Sequence, residues 1–156
     1  MATPDAAADL AQGWCALSLL HSTIEAHIAG ALHAHHELSA REYALLDVLS
    51  RQHDGDHGHL QMKQVADAVV LSQSATTRLV TRLEDRALLA RYLCPTDRRG
   101  IYTNVTEAGL RLLGQARPTY GEALREALDL SGRDPRLATL VTAVATLEAS
   151  SLETSG

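Results

Sequence analysis

Leu71 to Thr106 reads LSQSATTRLVTRLEDRALLARYLCPTDRRGIYTNVT. Ser72 is placed to cap a helix, since its hydroxyl can accept a bond from a free amide of the first turn. With Leu79 at the centre of the buried face and about 100° per residue, Ala75, Leu83 and Arg86 fall within roughly 40° of it. The opposite arc carries Gln73, Ser74, Thr77, Arg78 and Thr81. These are compact hydrogen-bonding side chains and one arginine, a set able to reach base edges and phosphates. Thr76 and Arg82 flank the arc, where the phosphate walls of a groove would run. The helix fades by Ala87, Leu88 to Cys94 is β-compatible and closed by Pro95, and Asp97-Arg98-Arg99-Gly100 makes a turn. Ile101 to Val105 then alternates apolar and polar as a strand should. A polar helix face alone is ordinarily just solvated. A capped polar helix followed by an arginine-tipped hairpin is a winged helix-turn-helix.

The residues before it complete that unit. Gln61 to Val70 is the expected first helix of the helix-turn-helix, with Val65, Ala66 and Val69 inward and Lys63 or Gln64 near the phosphate backbone. Further back, Ser39 and Glu42 form a capping box, with Leu38 and Tyr43 at the hydrophobic-staple positions. The helix they start runs to about Gln52 with Tyr43, Leu46 and Leu49 inward. Its part is structural.

From Leu38 to Leu113 the chain resembles the multiple-antibiotic-resistance regulator (MarR) family of bacterial repressors. The similarity rests on Ser72-Gln73-Ser74, Thr77-Arg78, Leu83-Glu84 with Leu88-Leu89, the wing Asp97-Arg98-Arg99, and Val105-Thr106-Glu107-Ala108-Gly109. The pieces are specific as a set rather than singly. The resemblance implies that Arg99 enters the minor groove while Asp97 helps fix the wing tip.

The flanks read as helices. Leu10, Trp14, Leu17, His21, Ile24, Ile28 and Leu32 recur at spacings of three and four between Asp9 and His36. That seam is too long for a small DNA-binding unit to cover, so part of it is expected on another subunit. Thr106 caps a helix after the wing, with Val105 and Leu110 as staple and Leu110, Leu113, Ala116, Tyr120, Leu124 and Ala127 as its stripe. Pro118 should bend it. Asp134 and Pro135 start a last helix with a seam of Leu137, Val141 (or Leu140), Val144 and Leu147. The expected architecture is mainly α with a small β-hairpin. Residues 38–106 form the winged helix-turn-helix lobe, and residues 1–37 with 107–156 form a helical dimerisation region. The resemblance implies the same homodimer; packing within one protomer is the alternative.

Hydrophobic residues make up 46% of the chain, enough for a core, but aromatics are 3% and phenylalanine is absent, so Leu, Ala and Val must build it. The net charge of −5 argues against DNA binding only if taken globally. Residues 61–105 hold seven basic and four acidic side chains, a net of +3, against −6 for residues 1–60 and −2 for residues 106–156. Positive charge therefore gathers where the groove-reading elements lie, and the acidic remainder opposes indiscriminate binding. Met1 to Ala8 lacks a signal-peptide pattern and no apolar run reaches transmembrane length, so a cytoplasmic protein without membrane contact is expected. Two distant cysteines, Cys15 and Cys94, suit reduced thiols.

The expected partner is a double-stranded, near-palindromic operator. Gln73, Ser74, Thr77 and Arg78 would read bases while Arg98 and Arg99 anchor the wings. The resemblance further implies a small aromatic or phenolic effector, with Trp14, His21 and Tyr43 as candidate walls of its crevice. It also raises a thiol-sensing role for Cys15, but the following Ala16-Leu17-Ser18-Leu19-Leu20 lacks the tyrosine of the hydroperoxide-sensing branch, so a buried, inert thiol is expected there. His53, His57 and His59 with Asp54 and Asp56, and separately His33, His35 and His36, could ligate metal. Neither set has a standard zinc spacing, and no metal or cofactor is assigned. A small helical enzyme and a protein-interaction module are the rivals. The chain shows no nucleophile elbow, phosphate-binding glycine loop or spaced metal motif to favour an enzyme.

Overall fold

Among the described residues helices account for every element but one hairpin. The computed structural model describes residues 4–53, 66, 67, 69, 71–93 and 101–153. In order the elements are α1 (Pro4–His36), α2 (Ala40–His53), α3 (Gln73–Asp85), β1 (Leu89–Leu93), β2 (Ile101–Val105), α4 (Glu107–Ser131) and α5 (Ala138–Glu153). This is the mainly α fold with a winged hairpin that the sequence predicts. Two compact units emerge, Leu32–Thr119 and the pair Met1–Ala31 with Tyr120–Gly156, so the divisions fall within α1 and α4. The first contains the whole 38–106 lobe and adds the adjoining helix ends.

In the winged unit, local signals set where helices begin. The Glu42 amide donates to Ser39 Oγ at 3.1 Å and the Ser39 amide donates to Glu42 Oε2 at 2.9 Å, completing the capping box. Leu38 and Tyr43 are both buried, as staple positions require. Helix α2 adds Leu45, Leu46 and Leu49 to the core, α3 adds Leu79, Val80 and Leu83, and the hairpin adds Leu88, Leu89 and Val105. Each such side chain contributes about 1.5–3 kcal/mol on leaving water. The strands pair antiparallel from Leu89 opposite Val105 to Leu93 opposite Ile101. Of the expected first helix of the helix-turn-helix, only residues 66, 67 and 69 are described; Ala66 and Val69 are buried, and the Leu71 amide donates to the Ala66 carbonyl.

Helix α3 ends in a Schellman turn. The Leu88 amide donates to the Leu83 carbonyl at 2.9 Å and the Ala87 amide to the Glu84 carbonyl at 2.8 Å, with Ala87 at φ 58°. Thr106 fastens this turn to α4. Its hydroxyl donates to the Ala87 carbonyl at 2.7 Å and accepts the Gly109 amide at 3.1 Å. Glycine is demanded at 109, because a Cβ there would overlap the Leu88 carbonyl oxygen and stand 2.7 Å from Val105 Cγ1. Helix α4 runs on through Pro118.

In the unit built from the chain ends, Leu20, Ile28, Ala123, Ala127 and Leu137 are buried. His27 Nε2 and Glu126 Oε2 lie 3.1 Å apart and join α1 to α4. Asp134 accepts the Arg136 amide at 2.9 Å and its carbonyl accepts the Ala138 amide at 3.1 Å, a capped first turn leading into α5. The Arg136 guanidinium, bonded to the Asp134 carboxylate, holds that carboxyl below its ordinary value. The seam expected on α1 is only partly covered: Ile28 and Leu32 are buried, whereas Leu10, Trp14 and Leu17 are 75%, 69% and 46% exposed. Among the described residues no helix is long and apolar enough to cross a membrane.

Candidate nucleic-acid interface

The interface is built on α3. Ser72 holds extended backbone angles, and its hydroxyl accepts the Ala75 amide at 3.2 Å, so the helix starts where the sequence places it. Gln73, Ser74, Thr77, Arg78, Thr81 and Arg82 are exposed with Ser72 along one side. Thr77 Oγ1 donates to the Gln73 carbonyl at 2.9 Å, and Thr81 Oγ1 donates to the Thr77 carbonyl at 3.0 Å. These bonds spend the hydroxyl protons on the backbone, so Thr77 can act outward only as an acceptor, while the Thr81 oxygen already accepts a bond from Arg91.

Thr76 departs from expectation. It is 0% exposed and its hydroxyl donates to the Ser72 carbonyl at 3.0 Å, so it faces the core and cannot flank a phosphate. The buried set is Thr76, Leu79, Val80 and Leu83, which centres the buried face about 50° round from Leu79 at 100° per residue. Arg86, expected on that face, is exposed at the helix C-cap. Its Nη1 donates to the Glu37 carbonyl at 2.9 Å.

Two ion-pair groups hold the helix between its neighbours. On one side Arg91 of β1 pairs with Glu84 at 2.9 Å and donates to Thr81 Oγ1 at 3.0 Å, tying the wing strand to α3. On the other, the largely buried Glu42 carboxylate lies 3.7 Å from Arg82 Nε and 3.6 Å from Arg86 Nη1. Sequence reasoning gave Arg91 and Glu42 no place in the site. Glu84 and Arg91 meet only because the chain turns back after α3, and neither helical nor strand periodicity relates them. Glu42 was legible as a cap but not as a partner of arginines forty residues on.

Asp97, Arg98 and Arg99 lie outside the described residues, as do Cys94 and the His-Asp run from Asp54 to His59. His36 Nε2 lies 2.8 Å from Thr119 Oγ1. Among the described residues no three or more His, Cys, Asp or Glu side chains gather as metal ligands would. The proposed effector walls are not gathered within one unit. Tyr43 is 8% exposed in the core of the winged unit, whereas Trp14 and His21 are exposed on α1 in the other. Tyr43 is therefore a core residue. Cys15, expected to be buried, is instead an exposed free thiol beside a cavity of about 630 Å³ lined also by Gln12, Leu19 and Arg136.

Comparison with known proteins agrees with this geometry. A family model described as the MarR family matches residues 36–100. The HTH-type transcriptional regulator MhqR of Bacillus subtilis (strain 168) is 32% identical over 114 residues, which cover 73% of this chain and 74% of that protein. The crystal structure of Sco3205, a MarR family transcriptional regulator from Streptomyces coelicolor in complex with DNA, superposes with a TM-score of 0.70 at 22% identity, covering 97% of this chain and 94% of that one. CouR from Rhodococcus jostii RHA1, bound to p-coumaroyl-CoA, gives a TM-score of 0.61 at 27% identity over 85% of this chain and 87% of its own.

Proposed function

The chain belongs to the MarR family of DNA-binding transcriptional regulators, and from that premise we propose that it is a homodimeric repressor of a near-palindromic operator, released by a small effector. The observation that carries this is α3 itself: a capped helix whose exposed arc is Gln73, Ser74, Thr77, Arg78 and Thr81, held between Arg82 and the wing strand's Arg91. In a twofold dimer two such helices would enter successive major grooves about 34–36 Å apart. Arg78 and Gln73 have the reach and donor geometry for purine edges, and Ser74 and Thr77 supply shorter contacts. Ser72 and Arg82 serve the phosphates, and Arg98 and Arg99 with Asp97 at the wing tip serve the neighbouring minor groove.

Pairing is supported by the uncovered apolar residues of the chain-end unit: Leu10, Trp14, Leu17, Leu19, Leu130, Val144 and Leu147. Surface of that kind, carried by both chain ends, is what a second subunit would bury. The effector we infer is a small aromatic or phenolic compound, the class suggested by the aromatic acyl group that CouR holds. Trp14 and His21 would stand at or beside the paired helices. Such a ligand acts only by favouring one arrangement of the two DNA-binding units over another.

A mobility-shift titration on the DNA upstream of the protein's own coding region, with competitor DNA present, tests the proposal. A selective shift that weakens steeply with salt is expected. No shift on any duplex, together with turnover of a substrate, would replace the repressor with an enzyme.

A further inference from the structure

We propose that Arg41 and Arg82 form a seat for one phosphate of the DNA backbone beside the base-reading Arg78, which makes Arg41 a DNA contact lying outside the recognition helix. The proposal rests on the chain being a duplex-binding regulator. A pocket of about 400 Å³ in the winged unit is lined by Arg41, Leu71, Ala75, Arg78, Leu79 and Arg82. Arg41 comes from the first turn of α2, where the Ser39–Glu42 capping box holds the backbone. Arg78 and Arg82 stand four residues apart on α3 and therefore project side by side. Leu71, Ala75 and Leu79 supply an apolar lining, with Leu79 buried.

Charge makes the case for an anion. Three arginines line the pocket and bring three positive charges to it. The neighbouring carboxylate, Glu42, is 3.7 Å from Arg82 but is shared with Arg86 at 3.6 Å and already accepts the Ser39 amide. Among the described residues Arg41 and Arg78 have neither an ion-pair nor a hydrogen-bond partner, and both are exposed. A phosphodiester brings one negative charge and two free oxygens, which match the forked donors of arginine. Position favours the backbone of DNA as its source. At 100° per residue Arg82 lies about 300° round from Leu79, at the border of the groove-facing arc, with Arg78 inside it at about 260°. A phosphate wall runs along that border when a helix lies in a major groove about 12 Å wide. Arg91 occupies the opposite border, so the helix would be flanked by cations on both sides.

The test is Arg41→Gln, with Arg111→Gln as a matched loss of charge elsewhere on the winged unit. Each is titrated against a duplex selected by the unsubstituted protein and against unrelated duplex, over a range of salt. The slope of log affinity on log salt should fall by up to about 0.9 per seat, hence up to about 1.8 for a dimer, in Arg41→Gln alone. Affinity should drop roughly tenfold for both duplexes, with the melting temperature unchanged. Arg41→Lys, which keeps the charge but loses the fork, should lie between. An Arg41→Gln slope no lower than that of Arg111→Gln would overturn the seat while leaving the functional proposal intact. Unchanged DNA binding with weaker displacement by inorganic phosphate would assign the pocket to a free anion instead, and so overturn it too. If the unsubstituted protein selects no duplex at all, the functional proposal and the seat fall together.

Discussion

The two units of this chain differ in how completely they cover their apolar side chains. In the winged unit Leu38, Leu46, Leu49, Leu79, Leu83 and Leu113 are each 2% exposed or less, and the outward side of α3 is polar and cationic. In the unit made from the chain ends, Leu10 and Trp14 on α1 and Leu147 on α5 each remain more than two-thirds exposed. All the large apolar side chains that stand exposed among the described residues belong to that unit. Among its described residues one unit thus covers its large apolar side chains within a single protomer and offers charge to a polyanion. The other offers surface that water penalises, at about 25 cal/mol for each Å² left uncovered.

Breaking the contrast at its exposed end should have the largest effect. Leu17→Glu combined with Leu147→Glu should leave each protomer folded, since both sites are exposed in the single chain. It should yield monomers by sedimentation and weaken operator binding by roughly 10²–10⁴-fold, the avidity of two linked sites. A dimer of normal affinity would mean that this surface serves something else. Next comes the closed unit. Gly109→Ala forces a Cβ against the Leu88 carbonyl and Val105, and should cost about 1–3 kcal/mol in denaturant unfolding. Arg78→Ala should cost roughly 1–3 kcal/mol of operator affinity and relax base preference at one position per half-site, read by binding to a duplex library. The smallest change is a gain. Ala87→Gly relieves a left-handed residue at the end of α3 and should raise stability by up to about 1 kcal/mol in the same unfolding assay.

How much of this was legible depended on how far each signal reached along the chain. Caps were legible because they are local: Ser39 with Glu42, Ser72 with Ala75 and Thr106 with Gly109 each span three residues. The seam of α1 was legible as periodicity, but not which half of it the protomer would cover. Thr76 was misplaced because a wheel centred on Leu79 ignores what packs on α3. The helix buries Thr76 and Val80 beside Leu79 and Leu83, a set that only the folded chain reveals. The clamps of Arg91 on Glu84 and of Glu42 on Arg82 and Arg86 join segments that no short window contains.

The central claim is that two copies of α3 are presented together to one duplex. Hydroxyl-radical footprinting of the saturated complex, with the protomers per duplex counted by sedimentation, addresses it directly. The account predicts two protomers and two protected stretches whose centres lie one helical turn, about 10–10.5 base pairs, or a multiple of it apart. A single protected stretch with one protomer bound would contradict it.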